Sequence, residues 1–185
     1  MGKQFDLIII GAGPGGYVAA KKAAKLGMSV VIIDKGDVGG TCINRGCIPT
    51  KALVHAAMLY REMTECEKFG LSAEKVGFDL QKIYEYKDLS AARMREELEK
   101  EFKELGVVSV RGTATIQSDK KVRVVTPNKE EEYYYGKHIL IATGARARTI
   151  DIPGLDLPGV MTSEELLTSN ESQYRRLLIL GGGVI

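Results

Sequence analysis

Two nearly continuous apolar runs near the start of the chain predict strands that are buried on both faces. The first covers Phe5 to Ile10 and the second covers Ser29 to Ile33, and both are rich in isoleucine and valine. The Ala-rich stretch between them, Tyr17 to Leu26, ends at Gly27 and predicts a helix. This order of strand, helix and strand is typical of an α/β domain built on a parallel sheet.

The later pattern predicts helices followed by short strands. Residues 51–67 and the strongly charged residues 78–105 carry apolar side chains at helical spacing, the latter as one long helix or two. The strands expected after them are Val107 to Ile116, Lys121 to Thr126, Glu130 to Tyr135, and Ile139 to Ala142. We therefore expect a three-stranded β-meander inserted before the strand at Ile139.

Composition and charge exclude several classes of protein. The chain has 185 residues, 44% hydrophobic and 27% charged, which suits one sizeable soluble domain. A net charge of +2 is too small to indicate a nucleic-acid or membrane surface, and no window approaches twenty apolar residues. The start of the chain lacks the features of a signal peptide. Three cysteines, an odd number, argue against a secreted disulfide scaffold, so we expect a cytoplasmic protein.

The glycine cluster after the first strand predicts a dinucleotide site. It reads Gly11-Ala12-Gly13-Pro14-Gly15-Gly16, and the second strand closes on Asp34. In such a unit the first glycine allows a tight turn, the second lets the backbone approach a pyrophosphate, and the last lets helix and strand pack closely. Asp34 stands where a carboxylate accepts hydrogen bonds from a ribose. The pattern does not decide between FAD and NAD, and a structural turn without phosphate remains the alternative.

The stretch GGTCINRGCIPTK, residues 39–51, places Cys42 and Cys47 close together. In a regular helix the Cα atoms of residues five apart lie roughly 8–9 Å from each other. A disulfide tolerates at most about 7 Å. A bonded pair would therefore need a distorted turn, and Asn44 and Gly46 tolerate the unusual backbone angles of such a turn. Pro49 suits the first turn of the helix that follows.

Two sulfurs at the start of a helix, with Arg45 and Lys51 nearby, favour the thiolate form and suit dithiol–disulfide chemistry. Two alternatives stay open at this point. A zinc site would have to draw on ligands from other parts of the chain, namely Cys66, His55 and His138, without the usual CxxC spacing. A pair of buried structural thiols is the other alternative.

GGTCINRGCIPTK closely resembles the redox-active segment of the flavin disulfide reductases, written G-G-T-C-x-N-x-G-C-x-P-[ST]-K. Its end, IPTK, is most similar to the dihydrolipoyl dehydrogenase branch of that family. The resemblance spans the whole chain. Beyond the glycine cluster it includes VRGTATI at 110–116, ILIATGARAR at 139–148, IPGLDLPGVMTSEELL at 152–167 and LLILGGGVI at 177–185.

The resemblance implies a Rossmann-like FAD-binding domain with a parallel sheet, helices on both sides and the inserted meander. It implies a redox-active Cys42–Cys47 disulfide, in which Cys42 is the interchange thiol and Cys47 lies against the flavin. The residues expected to bind FAD are Gly11, Gly13, Pro14, Gly15, Gly16, Asp34, Lys35, Gly39, Gly40, Thr41, Cys42, Lys51, Gly112, Ala142, Thr143, Gly144 and Ala145. The start of a second, NAD-binding fingerprint is expected at Gly181, Gly182, Gly183, Val184 and Ile185.

The resemblance also implies an activity and partners. Residues 1–150 would form an incomplete FAD-binding domain, and residues 151–185 a connection and the first strand of an NAD-binding domain. The reaction would be the NAD⁺-dependent oxidation of a dihydrolipoyl group on a carrier domain or H-protein, by a homodimer of a longer chain, with no metal. We expect residues 1–185 alone to lack turnover. Relatives usually have Glu at the place of Asp34, and many have a small apolar residue at the place of Arg45.

Two other functions remain as alternatives at this stage. One is another flavin disulfide reductase, of the mercuric or glutathione reductase type. The other is a non-catalytic FAD-binding thiol redox module.

Overall fold

The two apolar runs lie at the centre of a six-stranded sheet. The computed structural model describes residues 2–148, 150–170 and 174–183. Its strands are Lys3–Ile10 (β1), Val30–Asp34 (β2), Val108–Arg111 (β3), Thr113–Ile116 (β4), Lys121–Val125 (β5) and Glu131–Ile141 (β6). Its helices are Pro14–Lys25 (α1), Gly40–Arg45 (α2), Cys47–Thr64 (α3), Leu80–Glu104 (α4) and Ser163–Thr168 (α5), with a 3₁₀ turn at Cys66–Phe69.

The strand order is β3-β2-β1-β6-β5-β4. The four strands β3, β2, β1 and β6 are parallel, whereas β5 pairs antiparallel with both β6 and β4. The predicted α/β class, the parallel sheet and the antiparallel meander are therefore confirmed. The third meander strand and the strand expected at Ile139 are one continuous element, β6, so the meander extends the parallel sheet directly.

The two faces of the parallel sheet are covered differently. On one face Ile9 and Ile32 pack with helical residues, among them Ala20 of α1 and Phe102 of α4, and all four are buried. On the other face the buried cluster consists of strand residues alone, among those described: Ile8, Val31, Ile33, Val122, Val124 and Tyr134. The meander thus covers the face on which helices were also expected. Its alternating apolar residues on β5 supply the surface that a helix would otherwise have provided.

Gly112 explains why the strand expected over residues 107–116 is divided. Its N–H donates to the carbonyl oxygen of Asp34 at 2.8 Å, at the end of β2. A Cβ at this position would lie 2.5 Å from Cγ1 of Val124 and 2.8 Å from the carbonyl oxygen of Val125. The chain therefore leaves β2 at this residue and continues beside β5, which places β3 and β4 at opposite edges of the sheet. The expectation of one strand over residues 107–116 was wrong for this reason.

The strongly charged region over residues 78–105, expected as one helix or two, contains one helix, α4, of 25 residues. It begins at the N-cap Asp79, whose side chain accepts a hydrogen bond from the Lys82 N–H at 3.2 Å. No helix among the described residues combines the length and the apolar character that crossing a membrane requires.

Residues 174–183 contain neither helix nor strand, although LLIL predicts a strand. Leu178 is 86% exposed, and its neighbours Leu177, Ile179 and Leu180 are also exposed. A strand requires hydrogen-bonding neighbours, and these residues have none in the described part of the sheet. The division of the chain at residue 150 stays a prediction.

A buried lysine fastens the segment around α5 to α4. Lys87 is 2% exposed, and its Nζ donates to the carbonyl oxygen of Leu167 at 2.8 Å and to Oδ1 of Asn170 at 2.6 Å. It also forms an ion pair with Asp88 at 3.2 Å, and the amide of Asn170 donates to the same carboxylate at 2.6 Å. A single ammonium group thus joins two elements that are 80 residues apart in sequence.

We expect Lys87→Met to lower the free energy of unfolding by about 1–3 kcal/mol, because it leaves two acceptors without a donor. Urea unfolding followed by circular dichroism measures the change. Lys82→Met is the matched control, since Lys82 lies on the same helix with its side chain 79% exposed. Equal free energies of unfolding for the two variants would contradict a stabilising role for the hydrogen bonds of Lys87.

Candidate active site

The turn after β1 requires glycine at two positions. Gly11 has a φ of +107°, and its N–H donates to the carbonyl oxygen of Ile33 at 2.7 Å. A Cβ on Gly11 would overlap the carbonyl oxygen of Ala142, and a Cβ on Gly16 would overlap that of Gly11. The predicted roles of a tight turn and of close packing between helix and strand are therefore visible in the structure.

The N-terminus of α1 is open and carries no negative charge. Its N-cap, Gly13, provides no side-chain hydrogen bond, and its first turn contains no acidic residue. Gly15 is exposed, and a Cβ there would meet only Cβ of Ala142 at 3.9 Å. The free N–H groups and partial positive charge of a helix start attract phosphate. These residues thus fit the pyrophosphate of a dinucleotide.

Asp34 joins the glycine turn to the loop after β2. Its Oδ2 accepts from the N–H of Ala12 at 2.7 Å, and its Oδ1 accepts from the N–H of Gly36 at 2.8 Å. An ionised carboxylate has about four acceptor positions, so two remain for the hydroxyl groups of a ribose. Asp34 is thereby placed both to hold the turn and to contact a nucleotide.

The cysteine segment forms the distorted turn that its spacing requires. Helix α2 ends at Arg45, Gly46 interrupts the helix with φ −144° and ψ −99°, and α3 begins at Cys47. The Cα atoms of Cys42 and Cys47 lie 4.6 Å apart, and their sulfurs form a disulfide. The disulfide excludes the zinc alternative in this state, because neither sulfur is then a thiolate ligand.

The cysteine segment lies directly against the glycine turn. The N–H of Gly39 donates to the carbonyl oxygen of Ala12 at 2.8 Å. Gly40 has a φ of +58°, and a Cβ there would lie 2.6 Å from Cα of Gly13. The disulfide is thus held beside the expected nucleotide site, with no space for a side chain at the contact.

Lys51 lies on the same side of α3 as Cys47. The two residues are one helical turn apart, and both are exposed. Cys47 is also the first residue of an 18-residue helix. The helix dipole and the ammonium group both favour negative charge on this sulfur after reduction.

The end of β6 completes the same edge of the sheet. The N–H of Ala142 donates to the carbonyl oxygen of Ile10 at 2.7 Å, and Thr143, Gly144 and Ala145 follow as exposed residues. Gly112 reaches this edge through its hydrogen bond to Asp34. Ligands of parallel α/β sheets bind at the carboxyl ends of the strands, which is where these groups lie.

The remaining predicted site residues that the structure describes are exposed to solvent. Gly181, Gly182 and Gly183 are exposed, and a Cβ on any of them would meet no atom within 4 Å. Val184 and Ile185 lie outside the described residues. Lys35 and Thr41 are exposed on the loop and helix after β2. Contact of all these residues with a cofactor stays a prediction.

Two polar contacts of the cysteine turn had no counterpart in the sequence interpretation. Oδ1 of Asn44 accepts from Nη1 of Arg95 at 2.9 Å, and Nη1 of Arg45 contacts Oε1 of Glu164 at 2.5 Å. Asparagine is a common turn residue, which is the only local signal for the first contact. The partners lie 51 and 119 residues away, so neither is readable from spacing.

Comparisons with known proteins agree with this geometry. Residues 5–185 match the family model described as pyridine nucleotide-disulphide oxidoreductase. A dihydrolipoyl dehydrogenase of Zymomonas mobilis is 37% identical over 185 residues, covering 100% of this chain and 40% of its own length. A mitochondrial dihydrolipoyl dehydrogenase of Dictyostelium discoideum is also 37% identical, covering 99% of this chain and 38% of its own. This chain therefore spans about 40% of the length of these curated relatives.

A solved structure supports the fold. It is a Cu(II) complex of RclA, an HOCl-induced flavoprotein disulfide reductase from Escherichia coli. It superposes with a TM-score of 0.75 and 30% sequence identity over 92% of this chain and 35% of that chain.

We expect Gly16→Ala to destabilise the protein by about 1–3 kcal/mol, because the new methyl group would overlap the backbone carbonyl oxygen of Gly11 and force that turn to shift. Gly15→Ala is the control, since its methyl group would make only an ordinary contact. Urea unfolding of both variants measures the difference. A Gly16→Ala protein as stable as Gly15→Ala would show that the turn relaxes.

Proposed function

Because the chain belongs to the pyridine nucleotide-disulphide oxidoreductase family, we propose that it is the FAD-binding and disulfide-bearing part of a dihydrolipoyl dehydrogenase. Enzymes of this family use FAD and NAD, as expected from the sequence. The observation that carries the proposal is the Cys42–Cys47 disulfide, held against a glycine turn that suits a dinucleotide. The reaction proposed is the NAD⁺-dependent oxidation of a dihydrolipoyl group.

The residues at the carboxyl edge of the sheet fit FAD. The N-terminus of α1 with Gly13 and Gly15 would receive the pyrophosphate, and Asp34 the adenosine ribose. Lys51 and Cys47, on one side of α3, would border the flavin ring. Ala142 to Ala145, at the end of β6, would also contact the cofactor. When bound, FAD supplies the two-electron chemistry that links a dithiol to a pyridine nucleotide.

The proposed exchange step begins at Cys42. A substrate thiolate attacks Sγ of Cys42, a new S–S bond forms to the substrate, and the Cys42–Cys47 bond breaks. Cys47 leaves as a thiolate, which the start of α3 stabilises. The second substrate thiol gives up its proton to solvent and attacks the substrate sulfur of the mixed disulfide, which forms the S–S bond of the substrate and releases Cys42 as a thiolate. The substrate leaves as a cyclic disulfide, and the cysteine pair holds its two electrons.

The rest of the longer protein belongs to the proposal as well. Residues beyond 185 would complete the NAD site that begins with Gly181 to Gly183, and two copies of the chain would form the working enzyme. The substrate would be a dihydrolipoyl group on a carrier domain or H-protein. A cytoplasmic location suits a cysteine pair that cycles between states, because reducing conditions keep cytosolic disulfides catalytic rather than structural.

Replacing either cysteine of the pair is expected to lower dihydrolipoamide:NAD⁺ turnover of the intact protein at least about 10³-fold, because exchange requires both sulfurs. Steady-state NADH formation by Cys42→Ser and Cys47→Ser measures the loss. Cys66→Ser is the matched control with turnover near that of the unsubstituted protein, since Cys66 forms no disulfide and its Sγ donates to the carbonyl oxygen of Leu71 at 3.5 Å. Turnover retained by Cys47→Ser would refute the exchange step.

Substrate comparison separates the proposal from its alternatives. The intact protein is assayed for dihydrolipoamide with NAD⁺, for glutathione disulfide with NADPH and for Hg²⁺ with NADPH. We expect the first kcat/KM to exceed the others by at least about a hundredfold, a difference of about 2.7 kcal/mol in transition-state stabilisation. Higher activity in either NADPH assay would indicate another disulfide reductase. No turnover in any assay, with FAD bound, would indicate a non-catalytic redox module.

A further inference from the structure

Asn44 lies between the two cysteines, and its side chain uses all of its hydrogen-bonding groups. The amide nitrogen donates to the carbonyl oxygens of Gly40 at 2.9 Å, Val38 at 3.1 Å and Asp37 at 3.4 Å. Its Oδ1 accepts from Nη1 of Arg95 at 2.9 Å. The side chain therefore joins the loop before α2, α2 itself and the distant helix α4.

Arg95 lies on the face of α4 that packs against the buried core. It lies on the same face of α4 as Ala91 and Leu98, which are 5% exposed each. Leu98 belongs to the buried cluster that also contains Ile9 and Ile32 of the central strands. A hydrogen bond from Arg95 therefore ties Asn44 to the core of the domain.

Reduction removes the covalent link between α2 and α3. The remaining connection in the chain is Gly46, which has no side chain to restrict its backbone. The contact between Asn44 and Arg95 includes no sulfur, so opening the disulfide does not itself break it. It is placed to keep α2, and with it Cys42, beside the start of α3.

We propose that Asn44 and Arg95 form a brace that holds the two thiols adjacent in the reduced protein and thereby sets the dithiol–disulfide equilibrium. Without the brace the reduced turn gains conformational freedom, whereas the oxidised turn is still restrained by its S–S bond. The brace thus raises the effective concentration of one thiol near the other and favours the disulfide. Its components are positioning residues, and the inference rests on the proposed function only for its importance in turnover.

The equilibrium can be measured with glutathione alone. Oxidation of the pair forms the Cys42–Cys47 bond and breaks the bond of one glutathione disulfide, which takes up two electrons and two protons and leaves as two glutathione molecules. The intact protein is equilibrated in glutathione buffers, quenched with acid and alkylated, and the peptide with both cysteines is quantified by mass spectrometry. Neither lipoamide nor NAD⁺ is needed, so this test can fail while the proposed function holds.

We expect Arg95→Gln to lower the equilibrium constant for disulfide formation about 3- to 10-fold, which makes the reduction potential about 15–30 mV less negative. Arg93→Gln is the matched control with the unsubstituted value, because it removes the same charge from an exposed site on the same helix. An Arg95→Gln potential equal to that of Arg93→Gln would overturn the proposal.

Asn44→Leu separates the brace from a charge effect, because it removes the contact and leaves the guanidinium. We expect a shift in the same direction, and a double variant that shifts less than the sum of the two. A shift in Arg95→Gln without one in Asn44→Leu would overturn the proposal in favour of simple electrostatics. If Arg95→Gln loses helical circular dichroism, Arg95→Lys replaces it in the test. A reduction potential that is less negative than the unsubstituted value, by less than the shift expected for Arg95→Gln, supports the brace. A potential equal to the unsubstituted value overturns it.

Discussion

The contact between two glycine-containing turns is the constraint on which the candidate site depends. Gly39 donates its N–H to Ala12, and Gly40 approaches Gly13 so closely that a Cβ would collide with it. One turn presents a helix start suited to phosphate, and the other carries the disulfide. Side chains at this contact would separate the two, so the absence of side chains determines the distance between the nucleotide site and the sulfurs.

The break in the helix at Gly46 allows the two cysteines to form a disulfide. A continuous helix through residues 40–64 would hold the sulfurs of Cys42 and Cys47 too far apart to bond, whereas the break at Gly46 brings their Cα atoms to 4.6 Å. The same break gives α3 a new N-terminus at Cys47. The sulfur that leaves in the proposed exchange therefore stands where a helix stabilises negative charge. The break at Gly46 therefore both allows the Cys42–Cys47 bond and places Cys47, the leaving group of the proposed exchange, at the start of a helix.

Local patterns predicted the parts of the site that are local in sequence. The glycine turn, Asp34 and the bent cysteine segment all lie within residues 11–51, and their residue types and spacing indicate the backbone that each requires. Gly112 and Arg95 depend on partners far along the chain. Nothing near Gly112 indicates that its N–H will donate to Asp34, and nothing near Arg95 indicates that it will bond Asn44. The meander was likewise expected as strands, but the sheet face that it covers follows from tertiary packing alone.

Arg45 shows why tertiary context changes an electrostatic interpretation. Its place between the cysteines suggests added positive charge beside a thiolate, yet its guanidinium is paired with Glu164 at 2.5 Å. Glu164 is fixed because the capping box of Thr162 and Glu165 begins α5, and Lys87 holds the end of that segment. The hydrogen bonds from Thr162 lower the pKa of Glu165, so the cap is charged at neutral pH. Glu164 therefore offsets part of the positive charge of Arg45. In the proposed exchange, the start of α3 and Lys51 would stabilise the Cys47 thiolate.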